Sequence, residues 1–523
     1  MDFDLLNQIR TKIPRHIKLC ISSGLMVGLL THFYMLTHKL PNWDDINAIN
    51  MYGSGDYLGR WFLKYIHPIG TQYSIPAIHG FLMIFILVLA ACLVLELLNL
   101  KSTTAAVLVP ALMVTFPSVA CTMTFMFMAH TSAIGIFMIC LAVYLLRKYR
   151  FGWFPCTVLF ICSLGIYQSY ISIGIALMLM GMLVDLLDGK ECKEVFKNGI
   201  LYVIVLGIAV VIYMQLCHVI YPAIDNETYG GIGNMGNIAI AEMPVLIARC
   251  YKRFMEYFIW KPFAFMSKTM QVCNILTCVL ACILGVYLIV AKKLYRKIWE
   301  TALFCLAAFF MPLAVAFVYF MAPEADYSML MLYAYVLIYI TVVMLWEQAV
   351  GFWKNQKENK ILNRAASICS VMVIAVMLVS CYSNYLITNK AYFRMELAKD
   401  RVTAYLNRII ANIEAVDGYV TGDEVAILGN FYYKDNPSPV EMDLLDSEPL
   451  REMSGVALEN GLITPAVRDN FIRYYVGFNI TEMSDTRKNE LMETQQYQDM
   501  PLYPETGSIA KIEDVWVVKL SEE

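Results

Sequence analysis

The sequence predicts a mainly α-helical polytopic membrane protein of about eleven transmembrane helices, followed by a small α/β domain at its carboxyl end. Hydrophobic residues make up 59% of the 523 residues, charged residues make up 16%, and the mean hydropathy is +0.57. A soluble globular chain is closer to half apolar and a quarter charged. Segments 80–100 and 200–220 carry almost no charge over about twenty residues, the length that crosses ~30 Å of hydrocarbon.

Eleven segments of the chain have the apolar character of membrane spans. Two places in the sequence allow a different number of spans. Pro110 and Pro117 interrupt the third segment. The polar break Tyr167-Gln168-Ser169 alone separates the fifth from the sixth, so that a merger there is an alternative. The predicted spans are residues 17–38, 76–99, 103–120, 123–146, 153–167, 170–187, 198–220, 270–291, 300–321, 328–348 and 365–387.

Lysine and arginine residues between the spans predict the orientation of the chain. Cytoplasmic loops of membrane proteins carry an excess of these residues. With eleven spans, all the basic clusters fall on one side of the membrane, so we expect a cytoplasmic amino terminus and an extracytoplasmic carboxyl end. The clusters lie within residues 10–18, 147–150, 190–197, 292–297 and 354–364.

This orientation leaves three long segments outside. Residues 39–75 (the first loop) and residues 221–269 connect spans, whereas the residues from 388 onward form a separate region. We therefore predict a transmembrane domain at 1–387 and an extracytoplasmic domain at 388–523. No small-residue cleavage motif follows the first span, so we expect it to act as an uncleaved anchor.

The carboxyl-terminal region has the pattern of a small α/β domain. Residues 391–415 place apolar side chains at helical spacing, which predicts an amphipathic helix, and Val425–Leu428 and Val515–Val518 are predicted strands. Residues 435–439 are a predicted loop. Because this region shows no catalytic motif, we expect it to bind an acceptor or to pack over the membrane domain. The helix pattern consists of Val402, Tyr405, Leu406, Ile409 and Ile413.

Composition argues against several other kinds of site. All fifteen cysteines lie at or before Cys381, mostly in apolar segments where cysteine packs as a small hydrophobe. The chain has no CxxC pair, so no metal site is predicted, and a divalent cation is compatible with the sequence but not indicated. The net charge of −3, without a basic aromatic-rich face, gives no sign of nucleic-acid binding. Ionisable residues within the spans are scarce, which argues against an ion-coupled transporter.

Asp44 and Asp45 in the first loop are the candidate catalytic residues. A carboxylate acts as a general base when it lies within hydrogen-bond reach of the proton that it removes. Adjacent side chains point in different directions, so at most one of the two can hold that position. The other can orient an acceptor, bind a metal or cap a helix over Ile46–Met51, and the sequence leaves open which acid acts.

Other candidate binding residues lie in the first loop and in residues 221–269. Arg60 fits either a substrate phosphate or a lipid phosphate, and Trp61 fits either sugar stacking or anchoring at the membrane interface. Arg249, Lys252 and Arg253 share one face of a predicted amphipathic helix. That helix is typical of headgroup binding, and a dedicated phosphate site is the sharper alternative.

Three segments together resemble the GtrII-type bacterial glucosyltransferases, a branch of the GT-C class of polytopic membrane glycosyltransferases. They are Asn42-Trp43-Asp44-Asp45 after the first span, Gly59-Arg60-Trp61 in the same loop, and Ser163–Gln168 at the break between the fifth and sixth spans. The resemblance in layout covers nearly the whole chain. It implies an enzyme of the bacterial cytoplasmic membrane that moves a sugar, expected to be glucose, from a polyprenyl-phosphate donor to a cell-surface glycan or glycolipid.

The resemblance also implies roles for individual residues. Asp44 or Asp45 would deprotonate the acceptor hydroxyl, with inversion at the anomeric carbon. Positive charge would neutralise the departing phosphate, and Trp61 and the polar break would contact the donor. A polysaccharide polymerase or a lipid-linked sugar flippase is the alternative function, and a non-enzymatic envelope scaffold is a third. The implied donor-binding residues are Arg60, Trp61, Tyr167, Gln168, Lys252 and Arg253.

Overall fold

The computed structural model describes residues 12–47, 58–71, 73–220, 239–260, 263–322, 328–354, 360–431, 439–440, 453 and 458–521. Helices dominate these residues, and a small sheet lies near the carboxyl end. The helices are α1 Arg15–Thr37, α2 Trp43–Asn47, α3 Leu63–Ile66, α4 Pro76–Leu97, α5 Thr103–Thr115, α6 Pro117–Thr124, α7 Ala129–Lys148, α8 Trp153–Leu164, α9 Ile171–Leu187, α10 Cys192–Ile220, α11 Met243–Met255, α12 Lys268–Ala291, α13 Ile298–Val315, α14 Val318–Met321, α15 Val336–Lys354, α16 Lys360–Glu414, α17 Leu458–Leu462, α18 Pro465–Phe471, α19 Asp485–Glu493 and α20 Gln495–Gln498. The strands are β1 Glu424–Leu428, β2 Ile509–Ile512 and β3 Val515–Lys519.

Every predicted membrane span falls on helical residues, but the third and the ninth each cover two helices, and the eleventh covers only part of α16. Within the described part of the chain, 9 helices are long and apolar enough to cross a membrane, and the pair α5 and α6 makes a tenth span if it is counted as one. The pair bends by 42° at Phe116, because Pro117 starts α6 and disfavours helical geometry in the residue before it. Helix α8, with 12 residues, is the remaining apolar segment. The chain is therefore a multi-pass membrane protein.

The helical bundle has two chemically different ends. At one end, which we name the basic end, Arg147 donates two hydrogen bonds of 3.0 Å to Asp185, and Lys190 pairs with the same carboxylate at 3.0 Å. Lys292 donates to the carbonyl oxygen of Leu187 at 2.7 Å there. The opposite end, which we name the loop end, carries the first loop and the contacts with the carboxyl-terminal region. The predicted cytoplasmic and outer segments thus separate to opposite ends of the bundle.

The predicted division into two helices is wrong here: the span at 365–387 and the amphipathic helix at 391–415 are a single helix, α16, of 55 residues. No glycine or proline interrupts the sequence between them. The side chain of Asn389 donates to the carbonyl oxygens of Thr31 at 3.1 Å and Tyr385 at 2.9 Å, which fastens this stretch of α16 to α1. The predicted amphipathic face is confirmed, since Val402 and Ile409 are fully buried.

The carboxyl-terminal sheet has three strands in the order β1, β3, β2. Strand β1 runs parallel to β3, and β2 runs antiparallel to it. Both predicted strands are present, whereas β2 was not predicted, because its Ile-Ala-Lys-Ile sequence is short and its position is on the edge of the sheet. Of the predicted loop 435–439, only its last residue lies within the described part of the chain.

Candidate functional site

The acid pair lies in the first turn of the short helix α2. The side-chain oxygen of Asn42 accepts the Asp44 N–H at 2.9 Å, and the Asn42 carbonyl accepts the N–H of Ile46 at 3.0 Å. Asn42 is therefore the residue that caps α2, and the alternative in which one of the acids caps a helix that begins at Ile46 is wrong, because both acids lie inside α2. Both carboxylates remain available for other contacts, and their position near the amino end of a helix favours negative charge.

Asp45 is enclosed by the protein. Its side chain is 2% exposed, and its Oδ1 accepts the Phe127 N–H at 3.0 Å and the Ser74 hydroxyl at 2.5 Å. Burial raises the pKa of Asp45 to about 6, against the opposing effect of these hydrogen bonds and of Lys39. Both donors lie outside α2, so this carboxylate joins the acid-pair helix to the start of α4 and to the break before α7.

Asp44 has a more open environment. Its side chain is only partly buried. Burial raises the pKa of Asp44, while a hydrogen bond from the Trp43 side chain and the positive charge of Arg60 oppose that shift. The two adjacent acids therefore differ in kind: Asp45 has its contacts inside the protein, and Asp44 lies within electrostatic range of a cation on the same loop.

The Gly59-Arg60-Trp61 segment packs on the break between α8 and α9. The side-chain amide of Gln168 donates to the carbonyl oxygen of Leu58 and to the hydroxyl of Tyr213, both at 2.8 Å. Gly59 has φ +78°, and a Cβ atom there would lie 2.7 Å from the Tyr213 hydroxyl, so glycine is required for this approach. Two motifs about a hundred residues apart in the sequence thus form one surface.

Arg60 lies above an aromatic ring on that surface. Its guanidinium carbon is 4.9 Å from the centroid of the Tyr167 ring, a cation–π contact. The buried Nε of Arg60 and the buried indole nitrogen of Trp61 have no hydrogen-bond partner among the described residues. Buried donors are nearly always paired, so unpaired donors beside a cation and a carboxylate indicate a place for a polar ligand.

Lys252 and Arg253 lie elsewhere, on helix α11. Arg253 pairs with Glu256 at 2.9 Å and lies 5.7 Å from the centroid of the Tyr319 ring, while Lys252 is exposed. No hydrogen bond or ion pair joins either residue to the first loop in the described ranges. The structure thus brings five of the predicted site residues near one another and places Lys252 and Arg253 on a separate helix. The five are Asp44, Arg60, Trp61, Tyr167 and Gln168.

Three histidines lie close together where the first loop meets the bundle: His67 of the loop, His79 of α4 and His130 of α7. His79 accepts the Thr71 N–H at Nε2 (3.0 Å), so its Nδ1 carries the proton and donates to the Met126 carbonyl (3.1 Å). The rings of His79 and His130 are 4.6 Å apart, and those of His130 and His67 are 6.3 Å apart. In the part of the chain that the structure describes, no three histidine, cysteine or acidic side chains are placed to hold a metal. These contacts support the first loop, and no sequence signal foretold them.

The carboxyl-terminal region covers one side of helix α2. Ile46 is fully buried in a cluster with Leu406 and Phe471, which belong to α16 and α18. The side-chain amide of Asn470 donates to the side-chain oxygen of Asn47 at 3.0 Å. The helix that carries the acid pair is thus held between the bundle, through Asp45, and the carboxyl-terminal region, through Ile46.

A family model described as glucosyl transferase GtrII matches residues 33–346, which is more than half of the chain. The chain belongs to the GtrII glucosyltransferase family. No curated protein and no solved structure matches it. The residues matched to the GtrII model include the acid pair, Arg60, the Tyr167-Gln168 break and most of the bundle. They end within α15, so α16 and the sheet lie outside the matched region.

Proposed function

We propose that this GtrII-family enzyme transfers glucose from a polyprenyl-phosphate-linked donor to a hydroxyl group of an extracytoplasmic glycan or glycolipid. The candidate site lies at the loop end of the bundle, where a lipid-linked phosphate is within reach of protein side chains. The basic clusters support a cytoplasmic amino terminus and an extracytoplasmic site in the bacterial cytoplasmic membrane. A reporter enzyme that is active only outside the cytoplasm, fused after α16, should be active; an inactive fusion, together with an active cytoplasmic reporter, would reverse the orientation.

Asp44 is the general base in this proposal. It accepts the proton of the acceptor hydroxyl as that oxygen forms a bond to the anomeric carbon. The bond between this carbon and the phosphate oxygen breaks, the electron pair leaves with the polyprenyl phosphate, and the configuration is inverted. The observation that carries the assignment is the difference between the two acids: Asp45 is enclosed and accepts two internal hydrogen bonds, whereas Asp44 is partly open and faces the charge of Arg60.

Arg60 stabilises the departing phosphate, because a cation fixed where negative charge develops lowers the barrier. The unpaired Arg60 Nε and Trp61 indole N–H supply donors for the phosphate or the donor sugar. The family resemblance implies that Gln168 contacts the sugar donor directly. In this proposal Gln168 positions the loop instead, because its side-chain amide donates hydrogen bonds to Leu58 and Tyr213. Tyr167 holds the guanidinium through its ring.

Separate Asp44→Asn and Asp45→Asn variants test the assignment in a purified transfer assay with glucosyl polyprenyl phosphate. Loss of a general base is expected to lower kcat by about 10²–10⁴-fold in the Asp44 variant. Asparagine at 45 keeps the single oxygen that accepts both the Ser74 and Phe127 hydrogen bonds, so that variant should stay within about tenfold of the wild type. An active Asp44→Asn enzyme beside an inactive, folded Asp45→Asn enzyme would assign the base to Asp45.

A further inference from the structure

A pocket of about 220 Å³ lies in the carboxyl-terminal region, just after the end of strand β1. Its described lining residues are Asn430, Phe431, Ile463 and Thr464. An aromatic ring and a buried aliphatic side chain form an apolar wall, while an amide and a hydroxyl add hydrogen-bonding groups. Pockets for small ligands combine apolar walls with a few polar groups in this way. The lining suits a sugar ring, which has an apolar C–H face and hydroxyls along its edge.

Buried contacts hold the two walls of this pocket together. Arg468 of α18, which is 1% exposed, donates to the carbonyl oxygen of Gly429 at 2.8 Å and to that of Ile427. Gly429 has φ +85°, and a Cβ atom there would lie 2.5 Å from the Ser521 Oγ, which accepts the Asn430 N–H at 2.9 Å. The turn after β1 is therefore fixed against α18, so the pocket has rigid walls.

An aromatic side chain of α16 extends the apolar wall. The Tyr405 ring meets the Phe431 ring edge-on, with centroids 5.3 Å apart. Arg408, which is exposed, has its guanidinium carbon 5.1 Å from the Tyr405 centroid. The Phe431 side chain itself is only partly buried. A ring that is partly open and has hydrogen-bonding groups beside it can pack on the C–H face of a sugar while the sugar hydroxyls keep polar partners.

Helix α18 connects this pocket to the acid-pair helix. Thr464 directly precedes α18, and Asn470, near the end of α18, donates to Asn47 of α2 at 3.0 Å. These two positions on α18 are six residues apart, a rise of about 9 Å at 1.5 Å per residue. A single sugar ring is shorter than this rise. An oligosaccharide with one unit in the pocket can therefore place another unit beside α2.

Unpaired donors lie at the acid-pair end of the same segment. The Tyr475 ring stacks on Phe471 with centroids 4.9 Å apart, and the Lys39 ammonium lies 5.0 Å from the Tyr475 centroid. The Tyr475 hydroxyl lies within electrostatic range of Asp45. This buried hydroxyl and the buried side-chain nitrogen of Asn42 have no hydrogen-bond partner among the described residues. Because buried polar groups are nearly always paired, these groups suit the hydroxyls of a sugar beside the acid pair.

We propose that the acceptor is an oligosaccharide that lies along α18, with its reacting sugar beside α2 and a second sugar unit in the Phe431 pocket. The proposal rests on the proposed function and adds the length of the acceptor and the place of its second contact. It gives the carboxyl-terminal region, which lies outside the residues matched to the GtrII model, a role in selecting the acceptor. Because Arg60 and Trp61 do not line the pocket, donor binding should be independent of it.

Asn430→Trp fills the pocket, and Asn489→Trp on α19 is the matched control, because both asparagines are exposed and Asn489 does not line the pocket. The acceptors are oligosaccharides released by mild acid from the surface glycan of the bacterium that makes this protein, separated by length. With fragments longer than a disaccharide, we expect Asn430→Trp to raise the acceptor KM by about tenfold or more and to leave kcat and the KM of glucosyl polyprenyl phosphate within about twofold. Asn489→Trp should match the wild type, and with single-sugar fragments Asn430→Trp should match it too.

A second pair of variants removes and restores the ring without filling the pocket. Phe431→Leu keeps an apolar contact with Tyr405 but has no aromatic face, so it should raise the acceptor KM of the longer fragments by about tenfold. Phe431→Tyr keeps the ring and should stay within about twofold of the wild type. Melting temperatures in detergent show whether both variants are folded. Equal acceptor KM values for folded Phe431→Leu and Phe431→Tyr would contradict the stacking role.

Two results separate this inference from the proposed function. If the folded wild-type enzyme transfers no glucose from glucosyl polyprenyl phosphate to any fragment, the proposed function fails. If the wild type transfers glucose and Asn430→Trp keeps the wild-type acceptor KM, or raises the KM of single-sugar fragments equally, the pocket assignment fails.

Saturation-transfer NMR with the same fragments measures binding to the full-length protein in detergent without turnover. We expect signals from the longer fragments that fall in Asn430→Trp and persist in Asn489→Trp. Equal signals in these two variants would overturn the proposal, whichever donor the enzyme uses.

Discussion

The two ends of the helical bundle hold their charged side chains in opposite ways. At the basic end, Asp185 accepts from Arg147 through both oxygens and also pairs with Lys190, so that its charge is neutralised inside the protein. At the loop end, Arg60 keeps an unpaired buried donor, and Asp44 is partly buried without an ion pair among the described residues. Burying a polar group without a partner costs free energy. The fold thus uses charge for stability at one end and leaves charge available for a ligand at the other.

The largest expected effect is a loss of stability when the charged cluster at the basic end is disrupted. Asp185→Ala leaves the largely buried Arg147 without its carboxylate partner and with only its hydrogen bond to Tyr202, which should lower the free energy of unfolding by about 3–5 kcal/mol. Glu191→Ala removes an exposed acid from the same end and should change it by less than about 0.5 kcal/mol. Thermal unfolding in detergent measures both variants. Equal melting temperatures would contradict the structural role of the Asp185 cluster.

The pH dependence of stability sharpens the contrast between the two acids. The pKa of Asp45 is raised to about 6 in the folded protein, so the folded state binds its proton more tightly than the unfolded state does. The resulting stability is fully present below about pH 4 and is lost as the pH rises through about 6, with a total effect of up to ~3 kcal/mol. Asp45→Asn should remove this part of the dependence. Wild-type and variant unfolding profiles that remain parallel from pH 4 to pH 7 would refute it.

At the loop end, a smaller effect is expected from replacing Arg60 by lysine. The charge remains, but the planar guanidinium on the Tyr167 ring and its fork of donors are lost, so kcat/KM should fall about 10- to 100-fold. The melting temperature should change little, because lysine keeps the charge near the Tyr167 ring and the Arg60 Nε has no hydrogen-bond partner to lose. Arg253→Lys is the matched control and should reduce kcat/KM less. A melting temperature that falls along with activity would mean that Arg60 is structural.

The smallest expected effect concerns the contact between α2 and the carboxyl-terminal region. Asn470→Ala removes the hydrogen bond to Asn47 and also the one that the Asn470 side-chain oxygen accepts from Arg473 at 3.1 Å, and it should cost about 1–2 kcal/mol, with a few-fold loss of transfer as the acid-pair helix becomes less ordered. Asn412→Ala removes a hydrogen bond of 2.9 Å to Tyr503 in the same region, and Asn412 has no hydrogen bond to α2 among the described residues. It should lower stability similarly and leave transfer unchanged. Equal activities of the two variants would argue against a positioning role for Asn470.

The sequence predicted the spans and two strands well, because apolar length and alternation are local properties. The continuity of the predicted helices at 365–387 and 391–415 was missed, although no glycine or proline separates them in the sequence. The distinction between Asp44 and Asp45 could not be predicted, because it arises from contacts between residues far apart in the chain. It depends on the Phe127 N–H and the Ser74 hydroxyl, which only the folded bundle brings to Asp45.

The contact between the Gly59-Arg60-Trp61 segment and the Tyr167-Gln168 break also could not be predicted from sequence spacing alone. The two motifs were noted separately, but their contact needs the positive φ of Gly59 and the hydroxyl of Tyr213 on a third helix. Lys252 and Arg253 illustrate the opposite case. Their charge and helical spacing were plain in the sequence, yet that pattern contains no information about which surface the helix α11 packs on.

Because α16 is continuous, it fixes the distance between the membrane and the carboxyl-terminal sheet. A helix of 55 residues is about 80 Å long, far more than the ~30 Å of hydrocarbon, so the part beyond the membrane is a rigid support for the carboxyl-terminal sheet. The sheet region can neither sink toward the lipid nor rise away from it without bending this helix, and Ile46 is fastened to it. The height of Asp44 relative to the lipid headgroups is therefore set by the number of helical turns in α16.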